Sequence, residues 1–265
     1  MNRVAVLIPH YNNPEGLLNS IQSIDENSDV FIVDDGSKSK PDESIVNDKK
    51  NKNTNVIFLY LNQNSGIEEA LNCGLKEILK KDYKYIARLD CGDRNINLRI
   101  KKQSLYLDEN PSIHLVGSYV NFVSTNKEFL FQVKPPTNHR TIKNKMFLNC
   151  MFIHPSVMFR TEAVNKIGYY PYEFKAAEDY AYFFKFVNQF QTANIPEVLV
   201  EVEANPSGIS TKNRKKQIIT RMKVILKNFR FGVYPLYGLV RNFLLLLMPL
   251  SLTNRIKKMI FNGKK

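Results

Sequence analysis

Val30-Phe-Ile-Val-Asp-Asp-Gly-Ser37 is the stretch that decides the fold. Four successive apolar residues, Val30–Val33, show no alternation and read as a strand buried on both faces, which the polar turn Asp34–Ser37 then stops. The same pattern occurs twice more. Arg3–Ile8 is a β-branched run ended by Pro9, with His10, Tyr11 and Asn12 behind it, and Tyr85–Leu89 ends at Asp90-Cys91-Gly92-Asp93. Helical spacing fills the gaps. Pro14 opens a helix with Leu17, Leu18, Ile21 and Ile24 on one face. Lys38–Asn55 is polar, a loop with a short helix, and leads to a strand at Val56–Leu61. Gly66–Lys81 turns Ala70, Leu71, Leu75, Ile78 and Leu79 to one side. Alternating strands and helices at this spacing predict an α/β fold with a Rossmann-like, mostly parallel sheet and right-handed crossovers. Ligands of such sheets sit beyond the carboxyl ends of the strands. Three strands deliver polar groups to that one edge.

Further along, the pattern predicts a helix over Asn95–Glu109 and strands within Ile113–Val133 that cross the earlier alternation. A helix is expected over Thr137–Leu148, a strand over Pro155–Arg160, a helix over Glu178–Phe190 and a late strand over Glu197–Glu203. From Lys212 the chain reads as helical and basic. The expected division is an α/β domain over 1–211 and a basic amphipathic helical tail over 212–265.

Charge sets the tail apart. The chain of 265 residues carries a net charge of +13, with 38 basic and 25 acidic side chains. Fourteen of the basic residues lie between Lys212 and Lys265, where there is no Asp or Glu, so the rest balances at 24 basic against 25 acidic. A basic segment suggests an anionic partner, nucleic acid or lipid. The apolar run Phe243–Leu250 in the same segment argues for lipid, and a nucleic-acid-binding reading would rest on the charge alone. That run is shorter than the ~20 residues a membrane span needs. The tail is therefore expected to lie on an anionic membrane surface, each cation contributing roughly 1 kcal/mol. Deleting residues 235–265 is expected to release the protein from membranes and leave the activity of the α/β domain intact. Cys73, Cys91 and Cys150 are odd in number and have no metal-ligand spacing, and Met1–Pro9 lacks the long apolar region of a signal peptide. Both fit a cytoplasmic protein, peripheral on the inner face of the cell membrane.

The turn after the first strand holds no G-x-G-x-x-G, and the sequence has no phosphate-binding G-x-x-x-x-G-K-S/T loop and no G-x-S-x-G elbow. What remains is a set of carboxylates at strand ends. Asp90 and Asp93 have the oxygen ligands to hold Mg²⁺ or Mn²⁺ against a departing diphosphate, or else belong to an ordinary turn. Asp34 and Asp35 with Gly36 and Ser37 fit a site or a plain β-turn. Glu178 and Asp179 open a helix, as an acidic N-terminus or as a general base for an acceptor hydroxyl. His154 is a site residue or a buried histidine.

In order, Ile8–Asn12, Val33–Ser37, Asn64–Gly66 with Ala70–Leu75, Ala87–Asp93, His154–Arg160 and Ala177–Tyr180 resemble the motifs of glycosyltransferase family 2, the inverting enzymes of GT-A fold. The resemblance runs over residues 3–210. It implies that Pro9, Tyr11, Asn12, Asp34, Asp35, Asn64 and Gly66 belong to the nucleotide-sugar site. Arg88 and Asp90 would approach ribose and diphosphate, and Asp90 and Asp93 would serve Mg²⁺ or Mn²⁺. Asp179 would be the catalytic base with Glu178 beside it, and His154 would line the acceptor side of the pocket. Two positions depart from the family. Its metal turn is commonly Asp-x-Asp-Asp, and here the third position is Gly92. A late strand that often carries Arg or His before a Ser here reads Glu203–Ser210. The expected activity is hexosyl or N-acetylhexosaminyl transfer from a nucleotide-diphosphate sugar to a lipid-linked or oligosaccharide acceptor in surface polysaccharide synthesis. The alternative is a catalytically weak nucleotide-sugar-binding subunit of a glycan assembly complex. A homo-oligomer paired through the tail is compatible with either.

Overall fold

The computed structural model describes residues 3–24, 27–204 and 214–248. Its first half is the expected alternation: β1 (Val4–His10), α1 (Pro14–Gln22), β2 (Ser28–Asp34), α2 (Glu43–Lys49), β3 (Thr54–Tyr60), α3 (Ile67–Leu79) and β4 (Tyr85–Arg88). These strands are parallel neighbours in the order β3-β2-β1-β4. Each apolar run is buried on both faces because helices cover both. Val4, Val6 and Ile8 of β1 point to one layer with Leu17 and Ile21 of α1, while Ala5 and Leu7 point to the other with Leu71, Leu75 and Ile78 of α3.

After β4 come β5 (Arg94–Asn95), α4 (Arg99–Glu109), β6 (Ile113–Val123), β7 (Phe129–Val133), α5 (His139–Lys145), β8 (Met158–Arg160), α6 (Thr161–Ile167), α7 (Glu178–Gln189) and β9 (Gln191–Glu203). The sheet continues from β4 through β8, β6 and β9 to β5, with β7 on β6. β8 is antiparallel to both β4 and β6, and β6 and β9 are parallel. The parallel half thus provides the polar edge, and the mixed half closes one side of it.

Three element starts shift furthest from expectation, each for a local reason. β9 starts at Gln191, six residues before Glu197, because Pro196 falls where the pairing jumps from Ser118↔Ile195 to Tyr119↔Val198. A bulge absorbs the missing donor. α4 starts at Arg99, since Asn97 and Leu98 take left-handed backbone (φ 55° and 56°) and Asn95 pairs in β5. The first part of the expected strand at Pro155 is a 3₁₀ turn over His154–Ser156.

Two helices follow, α8 (Arg214–Lys227) and α9 (Val233–Leu247), within the expected tail. They are antiparallel: the Arg214 guanidinium donates to the carbonyls of Leu245 (2.7 Å) and Met248 (3.2 Å) at the far end of α9. They also pack on the domain. Val224 and Ile225 join the core beside α7, Asn188 Nδ2 donates to Asn228 Oδ1 (2.8 Å), and Lys227 pairs with Glu173 (2.5 Å). Gly238 lies so close to Phe147 that a Cβ there would stand 2.0 Å from its carbonyl oxygen. The remaining tail residues, 212–213 and 249–265, lie outside the described residues.

Candidate active site

The turn after β2 is built on Asp34, which is fully buried. Its Oδ1 lies 2.7 Å from His10 Nδ1, and its Oδ2 accepts the Ser37 amide at 3.1 Å. His10 Nε2 accepts the Asn13 amide (3.2 Å), so the ring proton sits on Nδ1 facing the carboxylate. The Asn12 amide donates to Ser37 Oγ (2.8 Å), tying the two strand ends together. Asp34, expected in the nucleotide pocket, is thus turned inward and holds the loops. Asp35 does its own bridging. Its two oxygens accept the amides of Ser65 (2.7 Å) and Gly66 (3.0 Å), placing a carboxylate at the N-terminus of α3. Burial pushes this carboxyl above its ordinary range despite the two amide bonds, with the charge of Glu69 adding to the rise. Gly36 (φ +64°) is required here, since a Cβ would stand 2.3 Å from the Gln63 backbone carbon. Tyr11 is 47% exposed, Asn12 and Asn64 are exposed, and Pro9 is buried within β1.

At the end of β4, Arg88 is fully buried and donates from Nη1 to the Leu7 carbonyl (2.7 Å) and from Nη2 to Asp90. Its Nε points at His154 Nε2 (3.4 Å), which also receives the Tyr170 hydroxyl at 3.0 Å. Two donors converge on that nitrogen, so His154 carries its proton on Nδ1. Burial, and then the charge of Arg88, push the imidazole down to about 4. Tyr170 is fixed in turn by Asn72 of α3, which exchanges two hydrogen bonds with its backbone (2.8 and 2.9 Å).

α7 begins at Glu178 with Ala177 in the N-cap position, so neither acid is a conventional cap. Asp179 Oδ1 accepts the Tyr180 amide (2.6 Å). Glu178 Oε2 is buried with no hydrogen-bond partner. Burial and the charge of Asp179 push the Glu178 carboxyl up to about 8, with smaller contributions from Glu68 and Asp90. Asp90 and Asp179 also both act on His154 and Tyr170. These interactions place Arg88, Asp90, His154, Glu178 and Asp179 in one neighbourhood, and Glu68 in the first turn of α3, whose N-terminus Asp35 holds, also acts on Glu178.

The turn after Asp90 has a different interior. Asp93 is 6% exposed and its Oδ1 accepts the Glu203 amide (2.9 Å). Burial and Asp90 push this carboxyl well above the ordinary range. Asp93, expected as a second metal ligand, therefore fastens the turn to β9. Gly92 takes φ +105°, a backbone that disfavours the Asp common in the family there. Among the described residues no group of three or more His, Cys, Asp or Glu is arranged to hold a metal. The donor set at the edge is the Asp90 carboxylate, which suits an ion carried largely by substrate phosphates and water.

Sequence reading missed three residues that build this site. Tyr170 and Asn72 meet only in the fold. Ser20 was visible as a serine on the inward face of α1: its hydroxyl receives the Gly92 amide (2.9 Å) and lies 2.8 Å from the Asp93 carbonyl.

A polar edge beyond the parallel strands, an Arg–Asp pair at the end of β4 and an acid pair opening α7 match the glycosyltransferase layout that the sequence motifs resemble. The family model for glycosyl transferase family 2 matches residues 5–168, and the chain belongs to that family. An uncharacterized glycosyltransferase of Methanocaldococcus jannaschii is 31% identical over 172 residues, covering 63% of this chain and 58% of its own length. The UDP-Gal:alpha-D-GlcNAc-diphosphoundecaprenol beta-1,3-galactosyltransferase of Escherichia coli is 25% identical, covering 83% and 81%. Among solved structures, TarS of S. aureus in complex with UDP superposes with a TM-score of 0.65 at 18% identity, over 92% of this chain and 71% of that one. The mannosyltransferase PcManGT of Pyrobaculum calidifontis, in complex with GDP-Man and Mn2+, gives 0.64 at 14%, over 91% and 68%. The fold is GT-A. The family match ends before Glu178, so the acid pair of α7 stands on geometry and motif alone.

Proposed function

We propose that this chain is an inverting glycosyltransferase that moves a hexosyl or N-acetylhexosaminyl unit from a nucleotide-diphosphate sugar to a lipid-linked glycan acceptor in surface polysaccharide synthesis, at the inner face of the cell membrane. The observation that carries the reading is the convergence of the Arg88–Asp90 pair with Glu178 and Asp179 around His154. The lipid-linked acceptor is supported by the substrate named for the E. coli relative, and the diphosphate donor by the ligands named for the two solved structures.

In this reading Tyr11, Asn12 and Asn64 line the nucleotide side, where Asp35 and Gly66 fix the entry to α3. Arg88 places a positive charge beside the diphosphate. Asp90 is the protein ligand for a Mg²⁺ or Mn²⁺ ion, which when bound would neutralise diphosphate charge. Asp179 accepts the proton of the acceptor hydroxyl as that oxygen bonds to the anomeric carbon. The bond from that carbon to the diphosphate oxygen breaks on the opposite face, so the configuration inverts. Burial and the charge of Asp179 hold the proton on Glu178 up to about pH 8, so Glu178 itself adds no negative charge beside the base below that.

Purified protein, a panel of UDP-, GDP- and dTDP-sugars and a lipid-diphosphate glycan test the reading. Asp179→Asn should lower turnover by about 10²-fold or more with nucleotide affinity nearly unchanged. Nucleotide binding without transfer by the wild-type chain would move it to the non-catalytic subunit reading. No nucleotide binding at all would sink both.

A further inference from the structure

We propose that the outer face of the α8–α9 hairpin is a bilayer-docking surface that lies in the interfacial plane of an anionic membrane. The face is settled by what α9 buries. Pro235, Gly238 and Asn242 are buried on one side, where the Arg241 guanidinium also donates to the Leu148 carbonyl (2.9 Å). The other side carries Val233 (81% exposed), Leu236, Tyr237, Val240, Phe243, Leu244 and Leu247 (65%). Spacings of three and four keep these seven on one stripe along the whole helix, roughly 22 Å at 1.5 Å per residue. An uncovered apolar stripe of this length marks an interaction surface rather than ordinary exterior. Phe231, at the link between the helices, is fully exposed and packs edge-on against Phe229.

Charge selects the occupant. Lys215, Lys216 and Lys223 are exposed on α8, and no Asp or Glu occurs from Lys212 to the end of the chain. A second copy docked through the same face would bring these cations against each other. The body, with 24 basic against 25 acidic residues, is close to neutral and offers almost no net charge to receive them. A bilayer with anionic headgroups meets both requirements at once: acyl chains for the stripe and phosphates for the flanking cations. No described helix is long and apolar enough to cross a membrane, so the hairpin lies flat.

The surface also has an orientation. α9 is seated on Phe147 and Leu148, and the Tyr180 hydroxyl, one residue from Asp179, donates to the carbonyl of Met146 in the same segment. Docking therefore leaves the thickness of α9 between the lipid and the segment that supports the start of α7, so that, resting on the function proposed above, the α7 side of the domain faces the membrane that carries a lipid-linked acceptor.

The test is flotation of the full chain with phosphatidylcholine vesicles, with and without phosphatidylglycerol, at low and high salt. Wild type should float with the anionic vesicles and be released by salt. The variant Leu236→Glu, Val240→Glu, Leu244→Glu, whose three sites are exposed, should partition at least about tenfold less while keeping its melting temperature and its thermal shift with whichever of UDP, GDP and dTDP shifts the wild type. Lys215→Glu, Lys216→Glu, Lys223→Glu should lose the anionic-lipid preference. Equal flotation of the apolar variant and wild type would overturn the proposal, as would a wild-type dimer that this variant converts to monomer without any vesicle binding. Flotation needs no donor sugar, so normal flotation without transfer would sink only the enzymatic reading.

Discussion

At the residue scale the informative group is Glu178, whose second oxygen has no partner and whose proton is held up to about pH 8. An unfolded glutamate has lost its proton well before that, near 4.5. Between these values the folded state binds more protons, so this group makes stability fall as pH rises. His154 acts with the opposite sign. Its proton is disfavoured down to about 4, so its contribution is complete above about 6.5 and is lost as pH falls from there to 4. Above pH 6.5 only the Glu178 slope remains of the two. Glu178→Gln should therefore flatten the decline in melting temperature between pH 6.5 and 8, the gap to wild type widening by roughly 2–4 °C per ~1 kcal/mol. Parallel melting-temperature profiles for variant and wild type would show that Glu178 is not held protonated.

At the scale of elements, helix α1 sets the turn that follows β4. Ser20 Oγ receives the Gly92 amide and lies beside the carbonyls of Asp90 (3.3 Å) and Asp93 (2.8 Å). Ser20→Ala leaves that buried amide without its acceptor, an expected loss of about 1–3 kcal/mol. Because the same turn carries Asp90, the affinity for whichever donor nucleotide the proposed panel identifies should weaken as well. Urea unfolding and nucleotide titration of the one variant check both, and stability loss with unaltered nucleotide affinity would separate the turn from the proposed nucleotide site. The sequence made part of this geometry readable. β1, β2 and β4 announce themselves because strands covered on both faces must be apolar throughout and must stop where the polar edge begins. Glu178 and Asp179 were readable for a similar reason, as acids at the start of an otherwise aromatic helix. Less visible were features that depend on a partner far along the chain. Asp34 and Asp93 look like site acids until His10 and the Glu203 amide are seen to occupy them. Pro196 hides half of β9, since a proline in a strand becomes tolerable only once a bulge has been built around it. Tyr170 reaches His154 only because Asn72, nearly a hundred residues earlier, pins its backbone.

At the scale of the whole molecule, charge and packing divide the chain differently. By charge the boundary falls near residue 212, with a balanced body and a wholly basic remainder. By packing, α8 and α9 belong to the body: Val224 and Ile225 are buried in its core, and Gly238 sits against Phe147 with no room for a side chain. The hairpin would then have two faces with separate duties, one completing the core behind the acid pair and one meeting the lipid. This revises what a truncation should do. A chain ending at Gly232 loses the cover over Phe147 and the Arg241–Leu148 bond, on the segment that also receives the Tyr180 hydroxyl. It should melt roughly 5 °C or more below wild type, and its donor hydrolysis should fall with it, whereas the Leu236, Val240 and Leu244 glutamate variant keeps both. Differential scanning fluorimetry and a donor-hydrolysis assay on the two proteins decide the matter. If the truncated chain kept wild-type stability and hydrolysis, charge rather than packing would mark the true boundary, and the hairpin would be an appendage that the catalytic domain does not need.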